Sequence, residues 1–375
     1  MNALIEDLLG VATPSDSELD SIVSAALGHP ATATGGAAER VAYQSGSPAT
    51  AGLIRVRGIT KTCEPWSVFV KILQHPRHWR GLGRVPAELR ADFLTRFPWR
   101  AELHAWDADF QHRLPIGLRV PRLYHLAELP DDHLAIWMED IDCSDHPWTT
   151  ESFELAARLL GRFASNSQDP VLLAASPVPA GHALRMFYAG EVAPALRWLH
   201  SHDLWRHPKV IADGGEQLRV DLITLSERAP AILDGLDQRP QSLPHGDASP
   251  QNLLVPVDAP NTRVAIDIAF QCPLAVGFDL AQLLVGLVHA GQMHPRELPR
   301  LQPLLTRAYA DGMSQGTHPT TPEDIDGGFI GSLVIRSAFT SLPFREPSTT
   351  LTDTHLDQRM GLTRFITDLG LQRTP

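Results

Sequence analysis

At 375 residues the chain exceeds what one hydrophobic core usually covers, which predicts two packed lobes. Hydrophobic content of 43% and charged content of 20% are those of a soluble globular enzyme, and no apolar stretch reaches the ~18 residues of a membrane span. The net charge of −11 without a basic run argues against nucleic acid as a partner. The three dispersed cysteines, 63, 143 and 272, argue against a disulfide framework or a zinc ribbon, and with no signal-peptide pattern at the N-terminus a cytoplasmic location is expected.

In chain order, residues 1–35 read as a helical extension. Ser15 and Glu18 have the spacing of a capping box, and Leu19, Ile22, Val23, Ala26 and Leu27 form one apolar stripe, which Gly28 and Pro30 end. Leu4, Ile5, Leu8 and Leu9 suggest a further turn or two. These helices are expected to pack on the small lobe, with a dimerisation arm as the alternative. Ser45 to Gly52 is rich in small residues and precedes a strand-like Leu53 to Arg57; it reads equally as an ordinary turn or as a loop whose backbone N–H groups approach phosphate. Neither a G-x4-GK[ST] loop nor a GxGxxG fingerprint is present, so P-loop and dinucleotide folds lose support.

The next run, Ser67 to Leu73, is an apolar strand holding Lys71, one of only three lysines against 29 arginines. A buried ammonium needs an anionic partner, unless it snorkels from an edge strand to water. Glu102, in a helical stretch leading to Pro121, and Glu88, nearer in sequence, are the candidates. Leu134 to Ile141 reads as the last small-lobe strand and a hinge. Beyond it helices are expected over 153–164, 183–200, 222–236, 280–290, 299–312, 324–341 and 356–369. This divides the chain into 1–35, 36–139 and 140–375.

The most specific pattern is His245-Gly246-Asp247 with Asn252, followed by Asp267 on a short strand. Phosphoryl transfer needs one carboxylate to accept an alcohol proton and oxygen ligands to hold magnesium on the triphosphate, and these three residues supply that set.

HGDASPQNLLVP at 245–256, Ala265 to Asp267 and Phe278-Asp279-Leu280-Ala281 resemble the aminoglycoside phosphotransferase family, the choline-kinase-like branch of the protein-kinase fold. The resemblance implies an α+β, two-lobed protein-kinase-like fold: an N-lobe of small antiparallel sheet with helix C, and a mainly α-helical C-lobe. It implies Asp247 as catalytic base, Asn252 and Asp267 as Mg2+ ligands, and His245 and Asp279 as supports of the catalytic loop. Lys71 would take the α- and β-phosphates of ATP or GTP, oriented by Glu102. Ser47 and Thr50 would lie in the phosphate-covering loop, and backbone around Met138, Glu139 and Asp140 would receive the base. One departure is Ile-Ala-Phe-Gln-Cys-Pro after Asp267, where relatives carry an aromatic and a glycine, which affects the loop on the substrate side.

The expected reaction is transfer of the γ-phosphate, with ATP between the lobes, to a hydroxyl of a small molecule: an antibiotic, aminoglycoside-like or other, or a related sugar or amino alcohol. Residues 141–375 carry a balance of −8, which would steer a cationic acceptor. The alternative is a degenerate kinase-like module that binds nucleotide without transfer. The chain is expected to be a monomer or homodimer. Trp198 and Trp205 could stack on a ligand but read better as core, and His75/His78 and His200/His202/Asp203 read as structural or surface clusters.

Overall fold

The structure, a computed structural model, describes residues 9–42, 46–85, 87–144, 148–316, 318–347 and 350–374. Leu4, Ile5, Leu8 and Ser45, singled out above, lie outside the described residues. The chain divides into two compact units. The first holds the chain up to Ala108 together with Val120–Cys143, and the second holds Asp109–Arg119 and the chain from Ser144.

The first unit is built on a five-stranded antiparallel sheet in the order β1-β2-β3-β6-β5. Its strands are β1 (Ala33–Arg40), β2 (Thr50–Thr60), β3 (Pro65–Gln74), β5 (Leu123–Leu129) and β6 (His133–Glu139). β3 shows why the sheet is covered on both faces. Successive side chains point to opposite sides of a strand, so Trp66, Val68 and Val70 face one way and Phe69, Lys71 and Leu73 the other. The first set packs with Ile54, Val56 and Trp137 against Leu19, Ile22 and Val23 of the helix Asp16–Leu27. Ser15 caps that helix, its Oγ accepting from Glu18 N at 3.3 Å while Glu18 Oε2 accepts from Ser15 N at 2.8 Å. Leu73, with Leu134, Ile136 and Met138, packs against Trp99, Leu103 and Trp106. Asp131 and Asp132, both at positive φ, close the β5–β6 hairpin, a conformation that aspartate tolerates better than most residues.

Three expectations are corrected here. β1 begins at Ala33, inside the segment read as helical to residue 35. β2 begins at Thr50 and takes Thr50, Ala51 and Gly52 out of the expected loop, because Thr50 pairs with Leu73 and Gly52 with Ile72 of β3, with a register shift at Ala51 between them. The helical stretch around Glu102 is a 3-10 turn, Ala101–Trp106, between short helices at Arg90–Arg96 and Ala108–Arg113. Pro98 interrupts any continuous helix, since the residue before a proline avoids the helical region.

In the second unit β4 (Leu118–Arg119) runs parallel to β9 (Arg263–Ala265), which pairs antiparallel with β8 (Leu253–Leu254). This pairing, with the Phe110 and Phe163 rings 5.5 Å apart, assigns Asp109–Arg119 to this unit and not to the first. A further ribbon joins β7 (Gln241–Ser242) to β10 (Leu274–Ala275). The rest is helical. Thr150–Ser165 packs on Leu298–Met313, where Gly161 and Gly312 let the backbones meet: a Cβ on either would collide with main-chain oxygen of Tyr309 or Arg158. The helix Asp279–His289 is almost wholly buried through Leu280, Leu283, Leu284, Val285 and Val288, each contributing about 1.5–3 kcal/mol of apolar burial. Two helices carry π turns, Tyr188–Val192 after His182–Phe187 and Val334–Ala338 after Pro322–Leu333. Gly215–Asp237 and Asp353–Arg373 are longer than expected, and short helices at Pro170–Ala174 and Pro208–Ala212 were not foreseen. No described helix is long and apolar enough to cross a membrane.

Candidate active site

Each unit holds its own group of polar side chains among the residues singled out in the sequence. In the first unit Lys71 sits mid-strand, opposite Leu53 on β2 and Ile136 on β6, and is only 6% exposed. Its Nζ lies 2.5 Å from Glu102 Oε2, and Glu102 is equally buried. The alternation of β3 explains the pairing: Lys71 shares a face with Phe69 and Leu73, and that face is covered by the segment from Trp99 to Trp106 that carries Glu102. Glu88 is exposed in a 3-10 turn. A buried pair of this kind adds little net stability, but removing one partner strands a charge at a cost of about 3–5 kcal/mol.

The expected loop and hinge residues are placed differently from the Lys71 pair. Ser47 Oγ accepts from Ala49 N at 3.2 Å, while Thr50 is 6% exposed at the start of β2. Met138 pairs with Phe69 and Leu123 inside the sheet, and Glu139 N donates to Arg122 O at 2.9 Å. The Glu139 amide is therefore committed to the sheet. Glu139 also accepts from Arg122 through its carboxylate. The Asp140 carboxylate takes Arg55 Nε on both oxygens at 2.9 Å and the Ser67 hydroxyl, a structural role for its side chain.

In the second unit the residues expected to form the catalytic loop make one hydrogen-bonded cluster. Asp279, at the first turn of its helix and 1% exposed, accepts from His245 N at 2.9 Å and Gly246 N at 2.8 Å. Burial pushes its carboxyl pKa up, against the pull of His245 and of these two N–H groups. Gly246 has φ +88°, and a Cβ there would meet the Phe270 carbonyl at 2.9 Å, so both conformation and space require glycine. His245 Nδ1 accepts from Asp247 N at 3.2 Å, which sets the ring proton on Nε2.

Asp247 is held from two sides. Asn252 Nδ2 donates to Asp247 O at 2.9 Å and to Asp247 Oδ2 at 3.2 Å. Both acceptors are oxygens, so the amide orientation is unambiguous and Asn252 turns its carbonyl oxygen the other way, the atom type that magnesium prefers. Ile266 N donates to Asn252 O at 3.0 Å and Leu253 pairs with Ala265, so Asp267 follows directly on the residue bonded to Asn252. Asp267 adopts the left-handed conformation, φ 62° and ψ 44°, before the 3-10 turn Ile268–Phe270. The donor types of Asn252 and Asp267, a carboxamide oxygen and a carboxylate, are those that fit a divalent cation.

The second hold on Asp247 was missed in the sequence. Arg336 donates from Nη2 to Asp247 Oδ1 at 2.9 Å and from Nη1 to Gly246 O at 2.9 Å. Its side chain is 9% exposed and caged by the rings of Phe270, Phe187 and Phe278 at 4.9, 5.5 and 5.7 Å. Arg336 lies in the π turn Val334–Ala338, and its lone charge in the apolar run from Phe329 to Phe339 is the same signal that marked Lys71.

The sequence matches no protein-family model and no curated protein. Among solved structures, the amicoumacin kinase hAmiN in complex with AMP-PNP, Ca2+ and Ami superposes with a TM-score of 0.52 at 13% identity, covering 90% of this chain and 89% of that one. An aminoglycoside phosphotransferase from Alicyclobacillus acidocaldarius gives a TM-score of 0.51 at 13% identity, over 89% of this chain and 92% of its own. With the antiparallel sheet and the helical second unit, these likenesses show that the chain has the protein-kinase-like fold of small-molecule phosphotransferases.

Proposed function

We propose that the protein is an ATP-dependent phosphotransferase that moves the γ-phosphate to a hydroxyl of a small molecule, with Asp247 as base. The observation that supports this most is the Asp247–Asn252 hydrogen bond, with Ile266, the residue before Asp267, bonded through its backbone to Asn252. Asn252 Oδ1 and the Asp267 carboxylate would hold magnesium, which neutralises phosphate charge. Asp247 accepts a hydrogen bond from the acceptor hydroxyl, aligns it for in-line attack and takes its proton late, while Arg336 and Asn252 fix the carboxylate. Lys71 holds the α- and β-phosphates and Glu102 orients Lys71. The donor is ATP or GTP, the acceptor an antibiotic or a related sugar or amino alcohol, and the protein acts in the cytoplasm as a monomer or homodimer.

The experiment is an ADP-release screen over aminoglycosides, nucleoside and macrolide antibiotics, amino alcohols and sugars, with wild type, Asp247→Ala and Asp267→Ala. Wild type turns over at least one acceptor and both variants lose transfer; retention of more than a few per cent of turnover by both refutes the assignment. One observation favours a second reading, nucleotide binding without transfer: both Asp247 oxygens already have donors, Arg336 on Oδ1 and Asn252 on Oδ2. Magnesium-dependent AMP-PNP binding with no ADP release on any acceptor would select it.

A further inference from the structure

Within the second unit lies a cavity of about 370 Å³, in the size range of small-molecule sites. Its walls include Glu191, Trp198, His289, Phe344, Arg345 and Arg359. Two paths tie it to the base. Thr340, on its wall, donates from Oγ1 to Arg336 O at 2.9 Å, and Arg336 holds Asp247. The Phe187 ring covers the Arg336 guanidinium, and Glu191 follows in the π turn Tyr188–Val192. The cavity wall therefore begins about one helical turn, ~5 Å, beyond the residue that orients Asp247.

The wall is chemically specific. Trp198, half-buried, presents aromatic surface, and the buried Phe344 ring backs it with ring centres 5.6 Å apart. Glu191 is neutralised by Arg345 at 2.5 Å, and Glu346 lies 3.4 Å from His355. Arg359 donates to His289 Nδ1 at 3.1 Å and His289 O at 3.2 Å, and among the described residues no carboxylate reaches it at ion-pair distance. Glu191 and Glu346 against Arg345 and Arg359 leave the lining balanced, although residues 141–375 as a whole carry −8. A polycation needs surplus carboxylate around it, and this wall has none to spare. What it offers is an aromatic face and a guanidinium whose donors meet only neutral acceptors.

Resting on the phosphotransferase reading above, we infer that this cavity is the acceptor pocket and that it takes an alcohol bearing one carboxylate and a flat apolar group, not a polycation. The flat group lies on Trp198, the carboxylate meets Arg359, and the hydroxyl extends toward Asp247.

The test is calorimetric titration of the full chain, saturated with magnesium and AMP-PNP, with three probes: N-benzoyl-L-serine, its methyl ester, and kanamycin. N-benzoyl-L-serine is expected to bind about tenfold or more tighter than the ester, with no binding of kanamycin. Arg359→Met removes the preference for the acid and Arg359→Lys restores part of it, each variant being checked for fold by its melting temperature. Binding of kanamycin in preference to the acid, equal affinity for acid and ester, binding of none of the three, or a preference that survives Arg359→Met would each overturn the inference. Failure of magnesium and AMP-PNP to bind at all would instead sink the phosphotransferase reading, and that step is measured first.

Discussion

Replacing Asp279 by alanine tests how the loop that carries Asp247 is held. Its two oxygens take the His245 and Gly246 amides at 2.9 and 2.8 Å in a fully buried setting. Without them two buried N–H groups lose their acceptor, at about 1–3 kcal/mol each, partly offset because a buried charge is no longer desolvated. The net loss should be about 3 kcal/mol, which for a unit of this size is roughly 6 °C in Tm. Activity should fall further than stability, because Asp247 follows directly on those amides and a misplacement of ~1 Å costs about 100-fold. Asp279→Asn keeps one acceptor oxygen and should fall between wild type and alanine. The assay pairs thermal melting with ADP release at a temperature where each variant is folded. An alanine variant that melts within about 1 °C of wild type and turns over within about threefold would refute the loop-anchor argument.

Lys71→Met strands the buried Glu102 and should destabilise by about 3–5 kcal/mol, whereas Lys71→Met with Glu102→Leu should regain most of that stability without regaining nucleotide binding, a split read by denaturant melts and AMP-PNP titration. Arg336→Met removes a charge-assisted bond to Asp247 and should lower kcat about 10–100-fold with the ATP KM little changed; an unchanged kcat would show that the Asp247 carboxylate does not depend on it. Burial, with Arg359 and Arg336 nearby, pushes His289 from 6.5 down to about 4. The unfolded chain then binds a proton that the folded one does not, so stability present above pH 6.5 is lost as pH falls toward 4, by about 3 kcal/mol in all. His289→Gln should flatten that slope in melts taken across the window. Gly246→Ala should cost both stability and turnover, because φ +88° and the Phe270 carbonyl leave no room for a methyl; a variant indistinguishable from wild type in melt and rate would contradict the loop geometry.

The parts legible in the sequence are those where chemistry forces an unusual residue into a constrained place. Lys71 stood out as an ammonium inside an apolar strand, and the face alternation of β3 carries it to Glu102. His245 to Asn252 stood out because loop turn, carboxylate and carboxamide are local to one another. Arg336 carries the same kind of signal as Lys71, yet helices accept isolated arginines on an exposed face, and only three-dimensional packing reveals that this one points inward onto phenylalanine rings. β1 had no readable signal: Ala33 to Arg40 is rich in alanine and glycine, and the strand exists because β2 offers it an edge. The boundary at Thr50 was lost for a related reason, since small residues serve equally in a loop and at a strand start. The cavity lay beyond sequence reading altogether, its lining running from Glu191 to Arg359 across several helices.

In the proposed reaction Asn252 and Asp267 hold a metal–nucleotide group that Asp247 does not itself hold. AMP-PNP affinity measured by titration across a magnesium series, for wild type, Asp247→Ala and Asn252→Ala/Asp267→Ala, addresses that directly. Magnesium should tighten binding to wild type and to Asp247→Ala alike, and the double variant should lose the dependence. Magnesium-independent binding in wild type, or a double variant that responds to magnesium as wild type does, would contradict it.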